Sequence, residues 1–355
     1  MNERQASGFT YQQAGVDNTS GARAKERIGQ LIRQTYTDGV LGDFGHFGGM
    51  FRSPEGASTV LVSSADSVGT KVLLAVHAGR HDGIGMDLVN HSVNDILCCG
   101  ARPLFFLDYF ATSSLDQDVL ADLVEGMSHA CQAAGCALIG GETAQLPGIY
   151  QESTYDLAGF IVGVVEEERI IDGAAIKPGD AVIGFPSNGL HTNGYSLARA
   201  VFGLTGDDTS AIREHLSEHV PELGETLGDA LLRPHRPYLQ MIIPFVEQGL
   251  LSGMAHITGG GIVGNLERII PAGCAAEIDV RSWEPPAIFT LLQQRGNVPV
   301  DEMFNVFNMG IGFIAVADES ASKQIIAGEP DATVIGYVRR STEPDARVHL
   351  SNMAT

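Results

Sequence analysis

The sequence predicts a two-domain protein of mixed α/β (α+β) class, and three observations support this. Its 355 residues exceed the ~150 that are typical of one domain. Strand-like apolar runs alternate with helix-length segments along most of the chain. A polar stretch at 166–180, rich in Asp-Gly and Pro-Gly turns, interrupts this alternation. We therefore place a boundary near Ile171, with an N-terminal domain at 1–171 and a C-terminal domain at 172–355.

The N-terminal half begins with a polar, glycine-rich arm and continues as alternating strands and helices. Short apolar and β-branched runs predict strands, and longer periodic segments predict helices. The predicted strands lie at 59–63, 104–109, 137–139 and 158–165, and the predicted helices lie at 85–99 and 116–134.

The C-terminal half restarts with a predicted strand at 181–184 and a helix from about Asn193. A charged, turn-rich stretch at 204–237 predicts an exposed excursion. Beyond it, the patterns predict helices at 238–248 and 262–270, and strands at 276–280, 312–316 and 333–337.

Composition argues against two classes of partner. The chain has 43 acidic and 22 basic residues, a formal net charge of −21. Such a surface repels nucleic-acid phosphates and anionic membranes, so we expect neither as a partner. The apolar runs fall short of the ~18 residues that span a bilayer, and the N-terminus lacks an apolar signal segment. The five cysteines form no CxxC pair, which indicates reduced thiols, and we expect a cytoplasmic protein.

The first candidate site is the segment SSADSVGTK at 63–71, which follows a predicted strand. It offers the Asp66 carboxylate for a metal ion beside the Thr70 and Lys71 donors for phosphate. The chain contains no Gly-Lys dipeptide, so this segment is not a P-loop. An ordinary turn at the end of a strand is the alternative interpretation.

Two further segments add carboxylates. Asp87, His91 and Asp95 are spaced to share one helix face, either as a metal-binding face or as ordinary helix residues. A short strand is followed by Gly-Gly-Glu-Thr, which places Glu142 at a predicted strand end. We expect Asp66, Asp95 and Glu142 to converge, because carboxylate oxygens suit Mg²⁺ held against nucleotide phosphates.

Two glycine-containing segments begin predicted helices. In SNGLHTNGYS at 187–196, free amides at a helix N-terminus suit a phosphate, with His191 as a donor or general acid/base. A helix cap with a packed histidine is the alternative, and we expect His191 to be partly exposed. The second, Gly259 to Gly264, matches the dinucleotide fingerprint GxGxxG with Asp279 beyond it. The preceding strand is too short and contains His256, so we do not expect NAD binding.

Nine segments, taken together, resemble the phosphoribosylformylglycinamidine cyclo-ligase (AIR synthetase) family of purine biosynthesis. They include GARPLFFLDYFAT at 100–112, GCALIGGETAQLPGIY at 135–150, SNGLHTNGYSLAR at 187–199 and HITGGGIVGNLERIIP at 256–271. The others lie at 11–21, 63–71, 84–96, 155–166 and 307–316, in matching order along nearly the whole chain.

The resemblance implies an ATP-dependent ligase that closes the imidazole ring of formylglycinamidine ribonucleotide. It implies two α/β domains, with a homodimer formed through the N-terminal sheets. The implied metal ligands are Asp66, Asp95 and Glu142 for Mg²⁺–ATP, with K⁺ as a second candidate ion. The catalytic set would be His191, Lys71 and Asp95. The implied ATP and phosphate set is Asp66, Ser67, Gly69, Thr70, Lys71, Gly140, Gly141 and Thr143. The implied substrate set is Ser187, Asn188, His191, Asn193, Ser196, Thr258, Gly259, Gly260 and Gly261.

Some positions depart from the family pattern. Ser67 stands where the family commonly has glycine, and His91 replaces a usually apolar or small residue, so we leave His91 out of the metal set. In the N-terminal arm, a frequent lysine is replaced by Gly29, while Lys25 and Arg27 remain. The alternative functions are those of related families, thiamine-monophosphate kinase and the hydrogenase maturation factor, or a non-catalytic nucleotide-binding protein.

Overall fold

The computed structural model describes residues 8–15, 32–42, 45–53, 58–206, 208–342 and 346–353, so Lys25 and Arg27 lie outside the described residues. Within that part of the chain, a six-stranded N-terminal sheet has the order β1-β2-β3-β6-β4-β5. Its strands are β1 Val40–Leu41, β2 Gly49–Arg52, β3 Thr59–Ser67, β4 Arg102–Thr112, β5 Ala137–Gln145 and β6 Tyr155–Glu166. The β4–β5 pair is parallel, and the other pairs are antiparallel.

In the described part of the N-terminal half, the helices that accompany this sheet are α1 Lys71–Ala78, α2 Asp82–Leu97 and α3 Gln117–Ala134. The Asp116 side chain caps α3 by accepting from the amides of Asp118 and Val119. Glycine is required where α2 and α3 cross, because a Cβ at Gly85 would collide with the Leu123 carbonyl oxygen. The long, periodic α2 and α3 confirm the two helices predicted in this half.

The helices cover one side of the N-terminal sheet and leave the other exposed. Along β6, side chains alternate between buried positions such as Leu157 and Ile161 and a more exposed row that includes Phe160. Phe160 is 44% exposed and Phe51, on β2, is 48% exposed. We call the side of the sheet that carries Phe51, Phe160 and Tyr109 the open face.

A second six-stranded sheet forms the C-terminal part, in the order β10-β12-β7-β13-β11-β14. Its strands are β7 Ala181–Pro186, β10 Gly253–His256, β11 Cys274–Asp279, β12 Ile311–Ala317, β13 Thr333–Arg340 and β14 Val348–Ser351. Every residue of β12 is buried, as its continuous apolar sequence indicates. β8 His219–Val220 and β9 Glu225–Thr226 form a separate hairpin.

The remaining helices are α4 Tyr195–Val201, α5 Thr209–Ser217, α6 Leu227–Leu232, α7 Leu239–Glu247, α8 Gly261–Leu266, α9 Ala287–Gly296, α10 Val300–Val306 and α11 Glu319–Gly328. The expectation of an exposed excursion at 204–237 is wrong in part, because Ile212, Leu216, Leu227 and Leu231 are buried. The α/β (α+β) class is confirmed, while the boundary near Ile171 stays a prediction. Among the described residues, no helix is both long and apolar enough to cross a membrane.

Candidate active site

A cavity of about 1020 Å³ lies between the first strands of the N-terminal sheet, α2 and the loop that begins α8. Its lining includes the polar residues Asp66, Asp95, Asn193, Thr258 and Arg268, together with Gly259. Four segments distant in sequence therefore contribute to one concave site, the usual setting for a ligand.

Two carboxylates meet at the wall of this cavity. Asp66 lies near the end of β3, and Asp95 lies in the last turns of α2. The Ser64 hydroxyl donates to Asp66 Oδ2 at 2.8 Å and lies 3.3 Å from Asp95 Oδ2. Asp95 Oδ1 also lies 2.7 Å from His256 Nδ1. The structure thus joins two of the three predicted metal ligands.

The two carboxyl groups differ in charge because their surroundings differ. Burial raises the pKa of Asp95 to about 8; the neighbouring Asp66 carboxylate adds to this, and His91 opposes it. Burial also acts to raise the pKa of Asp66, but the charge of His91 and hydrogen bonds from Ser64 and Asp95 outweigh it, so that pKa is lowered. The pair therefore holds one proton near neutral pH. Such a proton-sharing oxygen pair fits a Mg²⁺ ion, whose charge would replace the proton.

Glu142 does not join this pair within one chain. We expected it at a strand end, but β5 continues to Gln145 and includes it. Glu142 pairs with Tyr109 of β4, and Tyr109 pairs with Ala158 of β6, which is also the partner of Ser67; Glu142 therefore lies on the open face. Asp66 pairs with Gly159, the next residue of β6, so its side chain lies on the helix-covered side. Three strand spacings separate the two, roughly 14 Å. The expectation that all three carboxylates converge is therefore wrong for a single chain.

Gly140, Gly141 and Thr143 of the predicted phosphate set lie on the same strand as Glu142, β5, and are exposed. A Cβ at Gly141 would collide with Asp108, so glycine is required there for strand packing. These three residues consequently lie apart from the cavity wall that carries Asp66.

Lys71 also lies elsewhere than predicted. Its side chain is fully buried, and Nζ donates to Asp87 Oδ1 at 2.9 Å and to the carbonyl oxygens of Arg233 and His191 at 2.8 and 3.2 Å. Because these protein groups use its donors, the structure contradicts our placement of Lys71 at a phosphate. Lys71 instead connects α1 to α2 and to the C-terminal part of the chain.

The rest of the 63–71 segment remains near the site. Ser67 ends β3 and does not have a positive φ, so serine is accommodated where the family commonly has glycine. Gly69 has φ +70°, which favours glycine in this turn. Thr70 Oγ1 lies 3.2 Å from Ser196 Oγ, and this contact brings the predicted phosphate and substrate segments together.

The expectation that His191 is partly exposed is wrong. It is 2% exposed, and among the described residues neither ring nitrogen has a hydrogen-bond partner. Its φ of +63° lies in the left-handed region, which is uncommon for residues other than glycine. Burial, together with the nearby His256 and Lys71, holds the pKa of His191 well below its usual value. The packed-histidine alternative therefore describes its environment correctly.

The other predicted substrate residues divide into two groups. Asn193, Thr258 and Gly259 line the cavity. Ser187 Oγ donates to Asn308 Oδ1 at 2.9 Å, and Asn188 Nδ2 donates to the Pro234 carbonyl oxygen at 2.9 Å. The latter two side chains therefore hold the loop in place rather than line the cavity.

The triple glycine has a packing explanation. Gly260 and Gly261 have φ values of +96° and +61°, and a Cβ at Gly261 would collide with the Phe304 carbonyl oxygen. The loop thus needs glycine to begin α8 against its neighbours, without any dinucleotide.

Sequence reasoning missed three residues of the site. Ser64 bridges the two carboxylates, His256 contacts Asp95, and Arg268 lines the cavity with its guanidinium carbon 4.8 Å from the Phe47 ring centroid. Arg268 had a usable signal, because a cation soon after a glycine-rich loop is unusual in so acidic a chain. The position of Ser64 between the two carboxylates could be known only from the packing of β3 against α2.

Comparison with known proteins identifies the family. Residues 49–165 match the N-terminal domain, and residues 177–349 the C-terminal domain, of AIR synthase related protein. The chain is 46% identical over 342 residues to the phosphoribosylformylglycinamidine cyclo-ligase of Alkaliphilus metalliredigens, covering 94% of this chain and 96% of that one. It is 50% identical over 323 residues to that of Myxococcus xanthus, covering 90% and 92%.

Solved structures share the fold at lower identity. Thiamine-monophosphate kinase from Stenotrophomonas maltophilia superposes with a TM-score of 0.60 at 18% identity, covering 93% of this chain and 96% of that one. The E. coli hydrogenase maturation protein HypE gives 0.58 at 19%, covering 82% and 83%. At such identities these two show the fold alone, whereas the sequence relatives decide membership. The chain belongs to the phosphoribosylformylglycinamidine cyclo-ligase, or AIR synthetase, family.

Proposed function

We propose that the protein catalyses ATP-dependent closure of the imidazole ring of formylglycinamidine ribonucleotide, yielding aminoimidazole ribonucleotide, ADP and phosphate. The observation that carries this proposal is the Asp66–Asp95 pair at the wall of a large cavity. Relatives that carry the cyclo-ligase name at 46–50% identity support the choice of substrate.

The reaction has two steps. The formamide oxygen attacks the γ-phosphorus of ATP, and ADP leaves. The amidine nitrogen then attacks the activated formyl carbon, the C–O bond to phosphate breaks, and loss of a proton leaves the aromatic ring. The protein contributes chiefly position and charge neutralisation.

Different residues would provide the positioning and the charge neutralisation. Asp66 and Asp95 would hold Mg²⁺, which neutralises phosphate charge when bound. Arg268 offers a fixed fork of donors to a phosphate of the ligand. Asn193 and the loop at Thr258–Gly259 would orient the ribonucleotide. His191 retains a proposed donor role, which requires the loop at 187–194 to turn its ring towards the cavity.

We also propose a homodimer formed through the open face. Phe51 and Phe160 leave apolar surface on a sheet whose other side is already packed. Since each chain's own Glu142 is distant from Asp66, a three-carboxylate site requires Glu142 from the second copy. A cytoplasmic location and K⁺ as an accessory ion complete the proposal.

Measuring ADP release with three substrate conditions tests the function. Wild-type protein with ATP and Mg²⁺ should release ADP only when formylglycinamidine ribonucleotide is present, and Asp66→Asn should abolish release while circular dichroism stays unchanged. ADP release with thiamine monophosphate instead would favour the kinase alternative. Tight ATP binding without release under any condition would favour a non-catalytic protein.

A further inference from the structure

Three histidines from the C-terminal part of the chain meet behind the carboxylate pair. His191 precedes α4, His235 lies between α6 and α7, and His256 ends β10. All three are buried, and their potential ligand atoms lie within 4.8 Å of one another. We call His191, His235 and His256 the histidine cluster.

Two members already have the hydrogen bonds that metal-binding histidines usually make. His256 Nδ1 lies 2.7 Å from Asp95 Oδ1, and His235 Nδ1 lies 3.3 Å from Thr192 Oγ1. These contacts leave the Nε2 atoms of His235 and His256 facing each other at 2.9 Å. Ligating histidines characteristically bind the ion through one nitrogen while the other bonds to a carboxylate, carbonyl or similar group.

The third member supplies an independent observation. Both ring nitrogens of His191 are buried and have no hydrogen-bond partner in the part of the chain that the structure describes, although its ring stacks on His235 with centroids 4.0 Å apart. A buried polar atom left without a partner is destabilising, so native structures seldom retain one without a reason. The left-handed backbone at His191 adds strain at the same residue.

The imidazole nitrogens of the cluster and the distances between them indicate which class of metal ion fits. Zn²⁺–N bonds of ~2.0–2.1 Å in a tetrahedron place ligand nitrogens ~3.3 Å apart, so the facing pair would have to separate by a few tenths of an ångström. Neutral imidazoles suit Zn²⁺, Co²⁺, Ni²⁺ or Cu²⁺, whereas Mg²⁺ prefers oxygen. Burial keeps the cluster neutral, since it lowers the pKa of His256 to about 3.

We propose that His191, His235 and His256 form a binding site for one divalent transition-metal ion of the Zn²⁺ class. This site is separate from the Asp66–Asp95 pair, with Asp95 acting on it only through its contact with His256. The proposal does not depend on the ring-closing activity, and the ion would hold three segments of the C-terminal part together. Binding of the ion would keep His191 in the cluster, so the donor role proposed for it above belongs to the protein without the ion.

Binding of Zn²⁺ and Co²⁺ in the presence of excess Mg²⁺ tests the proposal. Equilibrium dialysis should give one ion per wild-type chain, and bound Co²⁺ should show the intense visible absorption of a tetrahedral site. His235→Asn should weaken binding at least ~100-fold, since even loss of an outer partner costs 10–100-fold. The exposed His219 provides the control, and His219→Asn should bind as wild type.

Other outcomes overturn the proposal. These are no stoichiometric binding by the wild type, or undiminished binding by His235→Asn. Binding that persists in His235→Asn but disappears in His91→Asn would assign the ion to the alternative group of His91, Asp95 and His256. If His235→Asn does not fold, Thr192→Val and His91→Asn together decide. The Thr192 hydroxyl contacts both His235 Nδ1 and His91 Nδ1, so Thr192→Val should weaken binding ~10-fold while His91→Asn binds as wild type. Unchanged affinity in Thr192→Val would then count against the site.

Discussion

At the residue scale, the buried Lys71–Asp87 pair links the two parts of the molecule. Lys71 Nζ reaches carbonyl oxygens of His191 and Arg233, and Asp87 Oδ1 accepts from the amide of His235 at 2.7 Å. Burial raises the pKa of Asp87 to about 6 and lowers the pKa of Lys71, and in both groups it outweighs their mutual attraction. The pair is therefore costly to break but not strongly stabilising as a whole.

Lys71→Met should lower the free energy of unfolding by ~3–5 kcal/mol, because it leaves the Asp87 carboxylate buried without a cation. The double variant Lys71→Met with Asp87→Leu should lose much less than the sum of the two single changes. Urea denaturation of the four proteins completes the cycle. Additive losses would show that Lys71 and Asp87 stabilise the fold independently of each other.

The histidine cluster predicts a pH dependence of stability. A histidine whose folded pKa is below its unfolded value of about 6.5 binds more protons when unfolded, so stability is lost as pH falls below 6.5. For His256 this window extends down to about 3. Asp95 and Asp87 act in the opposite direction, because their folded pKa values of about 8 and 6 exceed the unfolded value.

His235→Asn should flatten the rise of stability with pH. Because the pKa of His235 lies well below its usual value, wild type takes up a proton at this position on unfolding once the pH falls below about 6.5. One proton corresponds to ~1.4 kcal/mol per pH unit. Chemical denaturation at several pH values measures both slopes, and equal slopes would mean that His235 does not titrate differently on folding.

At the element scale, the sequence correctly predicts those helices and strands whose formation depends on neighbouring residues. The helices α2 and α3 follow from periodicity, and α3 from its Asp116 cap. β5 was predicted to end at 139 because Gly-Gly-Glu-Thr is typical of a turn. Pairing with β4 nevertheless extends it to Gln145, and that pairing depends on residues far away in sequence. Glu142 lies far from Asp66 because the sheet order places β6 and β4 between β3 and β5, and that order also depends on pairing between distant residues.

The same dependence on residues distant in sequence explains which site residues could be predicted and which could not. Asp66 and Asp95 were predictable as carboxylates at suitable positions, and their convergence is confirmed. The burial of Lys71 and His191 was not predictable, because it depends on how the C-terminal part packs against α1 and α2.

Two glycines in α2 test the close approach of helices. Gly85→Ala should destabilise the protein by ~1–3 kcal/mol, since its Cβ would meet the backbone of Leu123. Gly83→Ala, in the same helix, places its Cβ 3.5 Å from the Leu232 carbonyl oxygen, an ordinary contact, and should be neutral or stabilising by up to ~1 kcal/mol. Thermal unfolding compares the two, and similar melting temperatures would contradict the packing described for α2 and α3.

At the scale of the whole molecule, the proposed dimer completes the nucleotide site. The open face provides apolar surface, and Glu142 lies on it, three strand spacings from Asp66 of the same chain. A site built from both copies reconciles the three predicted carboxylates with the observed strand order. Residues of two chains would then act on one ATP.

Mixed dimers test this arrangement. Asp66→Asn and Glu142→Gln homodimers should each be inactive, whereas subunits unfolded and refolded together should recover roughly a quarter of wild-type activity. Half of the dimers are then mixed, and each mixed dimer has one intact site. Refolding each variant alone is the control. If Glu142 acted with Asp66 of its own chain, mixing would restore nothing.

If ATP activates the formamide oxygen within this chain's cavity, that oxygen leaves with the phosphate, and an isotope experiment measures its transfer. Formylglycinamidine ribonucleotide labelled with ¹⁸O at the formyl oxygen is converted with ATP and Mg²⁺, and the phosphate is analysed by ³¹P NMR or mass spectrometry. We expect one labelled oxygen in each phosphate, formed together with one ADP and one aminoimidazole ribonucleotide. Label released as water, with unlabelled phosphate, would contradict the account.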